Sequence, residues 1–181
     1  MTRTILAAAT AFVLMASPSA HAQLAQGALA PDFTAQGALK GKPFAFNLKH
    51  ALKKGPVVLY FYPKAFTQGC TLEAHAFAEA SGAFHKAGAQ VVGMSNDDLP
   101  SLLRFSTEAC RDKFAVAAAT PPVIAAYDVD LKQNGVSTGL TTRTSYVIGR
   151  DGKVVLVHSD MNYRDHVKLT LAAVEKLKAR R

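Results

Sequence analysis

Cys70 lies just past the apolar run Val57-Val58-Leu59-Tyr60-Phe61-Tyr62, and it opens a stretch whose apolar residues recur at helical spacing. A thiol in the first turn of a helix faces unpaired backbone N–H groups and the positive end of the helix dipole. Both stabilise a thiolate, and cysteines so placed commonly titrate at ~3.5–7.5 instead of ~8.5. A thiolate can attack the O–O bond of a peroxide and become a sulfenic acid. Thr67, three residues earlier, stands where the N-cap would put Cys70 at N3, the position whose N–H a capping hydroxyl usually holds. The same hydroxyl can also serve a peroxide oxygen. Pro63 has the plain role of ending the strand, and can in addition wall the thiol from bulk water.

The other thiol is Cys110. Leu99, Leu103 and Cys110 share one helical stripe, which suits a small buried core residue. Glu108 to Lys113 is polar, so that end of the helix could also unwind to meet a sulfenic acid. A permanent Cys70–Cys110 disulfide is the third reading. No Cys-x-x-Cys is present, which argues against dithiol exchange of the usual kind. His50, His75, His85, His158 and His166 lack metal-ligand spacing, and each is expected on the solvated surface. No metal site is expected. There is no Gly-rich phosphate loop, and Ser145 lacks a nucleophile-elbow context.

These groups sit in a chain of 181 residues, 49% apolar and 19% charged, which is ordinary for one folded domain and argues against disorder. The first residues are different. Arg3 precedes a mostly apolar run from Ile5 to Ala16, Ser17-Pro18 breaks it, and Ala20-His21-Ala22 offers small residues at a cleavage site. Residues 1–22 are read as a secretory signal, 23–29 as a flexible leader, and 30–181 as the folded domain. The expected location is the periplasm or the exterior. The apolar run is short for a membrane span. A net charge of +8 could serve nucleic acid, but the basic residues are spread along the chain. Their densest group, Lys176 to Arg181, suits the end of a C-terminal helix. Neither nucleic acid nor a membrane is an expected partner.

The pattern of elements must bring the thiol and its partners together. Phe44–Leu48 alternates as a half-buried strand, Lys53–Pro56 is a turn, and 57–62 is a strand buried on both faces. A helix is predicted from Cys70 to Lys86, a buried strand at 90–95, and a helix from Leu99 to Cys110. A weaker strand at 114–119 precedes a short helix ending at Tyr127. Lys132–Thr142 reads as a polar loop, Thr144–Ile148 and Lys153–His158 as a hairpin, and the C-terminal segment as a helix. The order predicts an α/β domain with a central mixed sheet flanked by helices, in a thioredoxin-like arrangement.

Taken together, Pro63-x-x-x-Thr67-x-x-Cys70 resembles the active-site pattern of peroxiredoxins. Tyr62-Pro63-Lys64 and Gly69-Cys70-Thr71-Leu72-Glu73-Ala74 are similar to the bacterioferritin-comigratory, or Q-type, branch. So are Ala30-Pro31-Asp32-Phe33, Val91-Val92-Gly93-Met94-Ser95 and Arg143-Thr144-Ser145-Tyr146-Val147-Ile148. The resemblance implies a peroxidase that reduces hydrogen peroxide or small organic hydroperoxides, with Cys70 as attacking thiol and Pro63 and Thr67 as pocket partners. Arg143 would stabilise the thiolate and polarise the peroxide. A guanidinium beside a thiolate is suited to both. Many Q-type members carry a resolving cysteine five residues after the first, where this chain has His75. Others place it near the position of Cys110, which makes Cys110 the resolving candidate. A thioredoxin-like or other dithiol protein would restore the thiols. The resemblance calls for no cofactor, and for a monomer or homodimer. The rival readings are a periplasmic thiol–disulfide exchange protein and a non-catalytic module with a static disulfide.

Overall fold

The computed structural model describes residues 24–179. In chain order the first half holds β1 (Thr34–Leu39), β2 (Lys42–Asn47), α1 (Leu48–Lys54), β3 (Val57–Phe61), α2 (Gln68–Lys86), β4 (Gln90–Ser95) and α3 (Leu99–Glu108). The second half holds β5 (Ala115–Ala118), α4 (Pro121–Ala126), β6 (Asp130–Gln133), β7 (Val136–Thr141), β8 (Thr144–Ile148), β9 (Val154–Ser159) and α5 (His166–Ala179). A short 3-10 turn, Tyr163–Asp165, leads into α5.

Seven strands form one mixed sheet in the order β2-β1-β5-β4-β3-β8-β9. β3 runs parallel to β4 and antiparallel to β8, so it is central. Val58 and Tyr60 point into one core with Phe77, Leu102, Phe105 and Val174, which come from α2, α3 and α5. Val57, Leu59 and Phe61 point into the other, with Leu48 and Ala51 of α1 and Val123 and Ile124 of α4. That division is why β3 reads as continuously apolar: alternate side chains serve two covered faces. The Tyr60 ring stacks on Phe77 with centroids 4.3 Å apart. Gly93, opposite Tyr60 in the β3–β4 register, makes room for it, since a Cβ there would stand 2.8 Å from that ring.

The sheet flanked by helices matches the expected fold, and several elements differ from expectation. The segment 34–39 pairs as a strand although Gln36, Gly37 and Ala38 are weak strand formers. Asn47 caps α1 by accepting the His50 N–H at 2.8 Å, so a helix stands where only the 53–56 turn was expected. The expected polar loop at 132–142 is instead mostly the β6–β7 hairpin, turned at Asn134-Gly135, both at positive φ. α3 stops at Glu108, which leaves Cys110 in a tight turn. Within the expected leader, Gly27 N–H donates to Val154 O, and Val154 N–H to Ala28 O. Residues 1–22, read as an export signal, lie outside the described residues. Among the described residues, no helix is long and apolar enough to cross a membrane.

Candidate active site

The turn between β3 and α2 is set by local chemistry. Tyr62 N–H still donates to Met94 O, and Pro63, with no N–H, cannot continue the pairing. Ala65 N–H then donates to the Asp97 carboxylate at 2.8 Å, and Thr141 Oγ1 donates to Tyr62 O at 2.7 Å. These bonds tie the loop to the ends of β4 and β7. Phe66 takes a φ of 64, and Thr67 becomes the N-cap of α2. Thr67 holds the expected position but not the expected bond. Its hydroxyl donates to Lys64 O at 3.0 Å and caps no helical N–H. The side chain is exposed at the mouth of the site, and Pro63 beside it is half-buried.

Cys70 follows at the third position of α2, 1% exposed and packed in the α2–α3–α5 core. Arg143, on the link between β7 and β8, reaches it: Nη2 lies 3.5 Å from Sγ. The guanidinium is 5% exposed and is held on its other edges. Nε donates to Met161 O at 2.9 Å, and Nη1 pairs with Glu73 Oε2. Gly69 allows this approach, because a Cβ there would stand 3.2 Å from Arg143 Nη2. The cation and the helix terminus therefore converge on one sulfur, and both favour negative charge there.

Glu73, one turn after Cys70, is fully buried. Burial pushes its carboxyl up to about 8, against the opposing pull of Arg143. The Arg143 guanidinium is pulled up by the charges of Glu73 and Cys70, while burial acts in the opposite direction. Glu73 Oε1 has no hydrogen-bond partner and lies 3.8 Å from His166 Nδ1. His166 was expected on the surface; it is fully buried, and burial holds its ring well below the ordinary range, at about 4. Sequence reasoning missed both Glu73 and His166 as parts of the site. Glu73 sits at i+3 from Cys70, hence on the same helix face, and that spacing was the available signal. Nothing local marks His166. His75 sits half-buried on α2 and makes no hydrogen bond to Cys70 or Arg143.

Cys70 and Cys110 are both free and both buried. The static disulfide is therefore not present. Cys110 N–H donates to Phe105 O at 3.0 Å, and Cys110 O accepts from Lys113 N–H at 3.0 Å. Burial, reinforced by Asp112, pushes this thiol far above the ordinary range. The next two residues, Arg111 and Asp112, take φ values of 51 and 60, unfavourable for residues with a Cβ. The rings of Tyr60 and Tyr62 lie in the same core as both sulfurs, and their phenols are buried without partners. Among the described residues, no group of three metal-ligating side chains comes together.

The chain matches the family model described as the AhpC/TSA family over residues 26–157. It is 32% identical over 161 residues to the chloroplastic peroxiredoxin Q of Sedum lineare, covering 88% of this chain and 83% of that one. Its structure is similar to that of peroxidoxin BcpB from Mycobacterium tuberculosis, with a TM-score of 0.75 and 30% identity over 85% of this chain and 98% of the other. It is also similar to the bacterioferritin comigratory protein of Xanthomonas campestris, a structure concerned with alkyl peroxide reduction. That comparison has a TM-score of 0.69 and 27% identity over 79% of this chain and 91% of the other.

Proposed function

Because this chain belongs to the AhpC/TSA family and is a thiol-dependent peroxidase of the peroxiredoxin type, we propose that Cys70 is the peroxidatic cysteine and Arg143 its activating cation. The observation that carries this reading is the guanidinium 3.5 Å from a sulfur in the first turn of α2. The Cys70 thiolate attacks one peroxide oxygen, the O–O bond breaks, and the leaving oxygen departs as water or an alcohol after taking a proton. Arg143 stabilises the anion before attack and the charge that moves to the leaving oxygen during it. Thr67 and Pro63 line the mouth; the threonine hydroxyl, on the lip of the site and already donating to Lys64 O, is placed to accept a hydrogen bond from the incoming peroxide. Small organic hydroperoxides are substrates beside hydrogen peroxide, which the alkyl peroxide activity of the Xanthomonas relative supports.

Cys110 is the resolving cysteine in this reading. It condenses with the Cys70 sulfenic acid, forming the S–S bond and releasing water, and a dithiol protein then restores both thiols by exchange. Because Cys110 is buried, the turn from Cys110 to Lys113 must unwind first. The two left-handed residues after Cys110 favour that opening, each holding a conformation that costs roughly 1–2 kcal/mol. The reductant is a thioredoxin-like dithiol. The N-terminal pattern supports export to the periplasm, and sequencing the N-terminus of the mature protein tests it, with Gln23 expected first.

Peroxide consumption by the Cys70→Ser variant, with dithiol in excess, tests the assignment. The expected result is no consumption above the uncatalysed rate. A variant that still turns over removes Cys70 from its role.

A further inference from the structure

We infer that His166 is a positioning residue for Arg143: its buried ring ties together the two backbone segments that hold the guanidinium against Cys70. The inference rests on the role assigned to Arg143 above.

His166 Nε2 lies 2.9 Å from Asp160 O. A carbonyl can only accept, so Nε2 carries the proton and the neutral ring presents a lone pair at Nδ1. Ser145 Oγ, 2.8 Å from Nδ1, therefore donates to it. Both partners adjoin Arg143. Ser145, in β8, is two residues past Arg143. Asp160 N–H donates to Arg143 O at 3.2 Å, and the next residue, Met161, accepts from Arg143 Nε at 2.9 Å. One imidazole thus fastens the start of β8, next to Arg143, to the loop that orients the guanidinium. The segment it holds, Asp160 to Asn162, is exposed and belongs to no strand or helix. Apart from the His166 bond, this segment is tied to the sheet by the Asp160 N–H to Arg143 O bond.

The ring's neutral state matters for the third contact. Glu73 Oε1 lies 3.8 Å from Nδ1 with no donor of its own. A charged donor at that position would compete with Arg143 for the carboxyl oxygens and set a second cation beside the guanidinium. Burial keeps the ring neutral against the pull of the Asp160 carbonyl and carboxylate, and His158 and Arg143 add to the effect of burial. Glu73 faces it from α2, Ser145 from β8 and Arg143 from the β7–β8 link, while the His158 ring of β9 meets it edge-on with centroids 4.5 Å apart. His166 leaves Glu73 to Arg143 alone. The Glu73 carboxyl then fixes one edge of the guanidinium, Met161 another, and the third faces the sulfur.

The test is a double-mutant cycle on the rate at which peroxide oxidises Cys70, read by stopped flow at neutral pH. His166→Leu is expected to slow that step about tenfold, and His166→Gln, whose amide can still donate to Asp160 O, to recover part of the loss. In an Arg143→Gln background, His166→Leu is expected to add no more than about twofold, because the group it positions is gone. A merely structural histidine would cost folding stability equally in both backgrounds and leave the oxidation rate of the folded fraction unchanged. If His166→Leu does not fold, Ser145→Ala removes the Nδ1 partner more gently and is expected to slow oxidation about threefold, again only with Arg143 present. Equal losses in both backgrounds, or none in either, overturn the inference. If Arg143→Gln itself leaves the rate unchanged, the failure belongs to the assigned role of Arg143 instead.

Discussion

Arg143 and Cys70 are 73 positions apart in the chain, yet a guanidinium nitrogen of one lies 3.5 Å from the sulfur of the other. The approach depends on Gly69 and Glu73 of α2 and on the carbonyl of Met161 in the loop after β9.

Arg143→Gln is expected to slow peroxide oxidation of Cys70 by about 100-fold or more, in line with loss of a preorganised charged donor at a reacting anion. Arg143→Lys should recover only part of this, since an ammonium cannot reach Met161 O, Glu73 and the sulfur at once. Stopped-flow oxidation kinetics would measure both. The cost in stability should fall below the ~3–5 kcal/mol usual for a broken buried pair. Glu73, already pushed up to about 8 with Arg143 in place, stays neutral when its partner leaves, because both effects of Arg143 lower its value.

Glu73 gives folding a pH dependence of definite sign. Its carboxyl is raised from 4.5 to about 8 in the folded protein, so between these values the folded state holds a proton that the unfolded state has released. Stability should therefore be greatest below pH 4.5 as far as this group is concerned, and be lost as pH rises through 8. The slope is at most about 1.4 kcal/mol per pH unit. Urea unfolding at intervals across this range should show the fall, and Glu73→Gln should flatten it. An unchanged slope in the variant would mean that the carboxylate is ionised throughout.

His166 acts in the opposite direction. Its ring is lowered from 6.5 to about 4, so the unfolded state takes up a proton first as pH falls. Stability present above pH 6.5 should be lost as pH falls through 4. His166→Gln should remove this acid limb without changing the limb assigned to Glu73.

Gly69→Ala separates rate from stability. The new methyl group would stand 3.2 Å from Arg143 Nη2, on a guanidinium whose other nitrogens are held by Met161 O and Glu73. Peroxide oxidation of Cys70 should slow severalfold, with thermal unfolding little changed, because alanine suits a helix better than glycine by ~1 kcal/mol. Gly93→Ala should do the reverse. Its methyl would press on the Tyr60 ring, costing about 1–3 kcal/mol.

Cys110 is expected to resist alkylation in the reduced native protein, since it is buried and its thiol is held in the neutral form. Iodoacetamide should modify it rapidly only in urea. Rapid native modification would show that the turn after α3 is open before peroxide arrives.

The site was legible in part. Cys70 could be placed because its signal is local: an apolar run, a proline and a helical repeat in sequence. Arg143 was found through the resemblance, not through spacing, since a single arginine before a strand looks like any other. Thr67 was placed correctly, but the partner of a freely rotating hydroxyl is decided by geometry. His166 was hidden because what buries it comes from α2, β8 and β9 at once. The fold followed the same rule. Strands β3 and β4 announced themselves because both faces are apolar. The hairpin β6–β7 did not, being largely exposed and polar on both faces.

The measurement nearest the centre is the intact mass of the Cys110→Ser protein after one equivalent of hydrogen peroxide, with the modified residue located by peptide mapping. One added oxygen on Cys70 is the expected result, and the protein with Cys110 intact should instead lose two hydrogens as the sulfurs join. An unmodified Cys70 in a sample that has consumed its peroxide would contradict it.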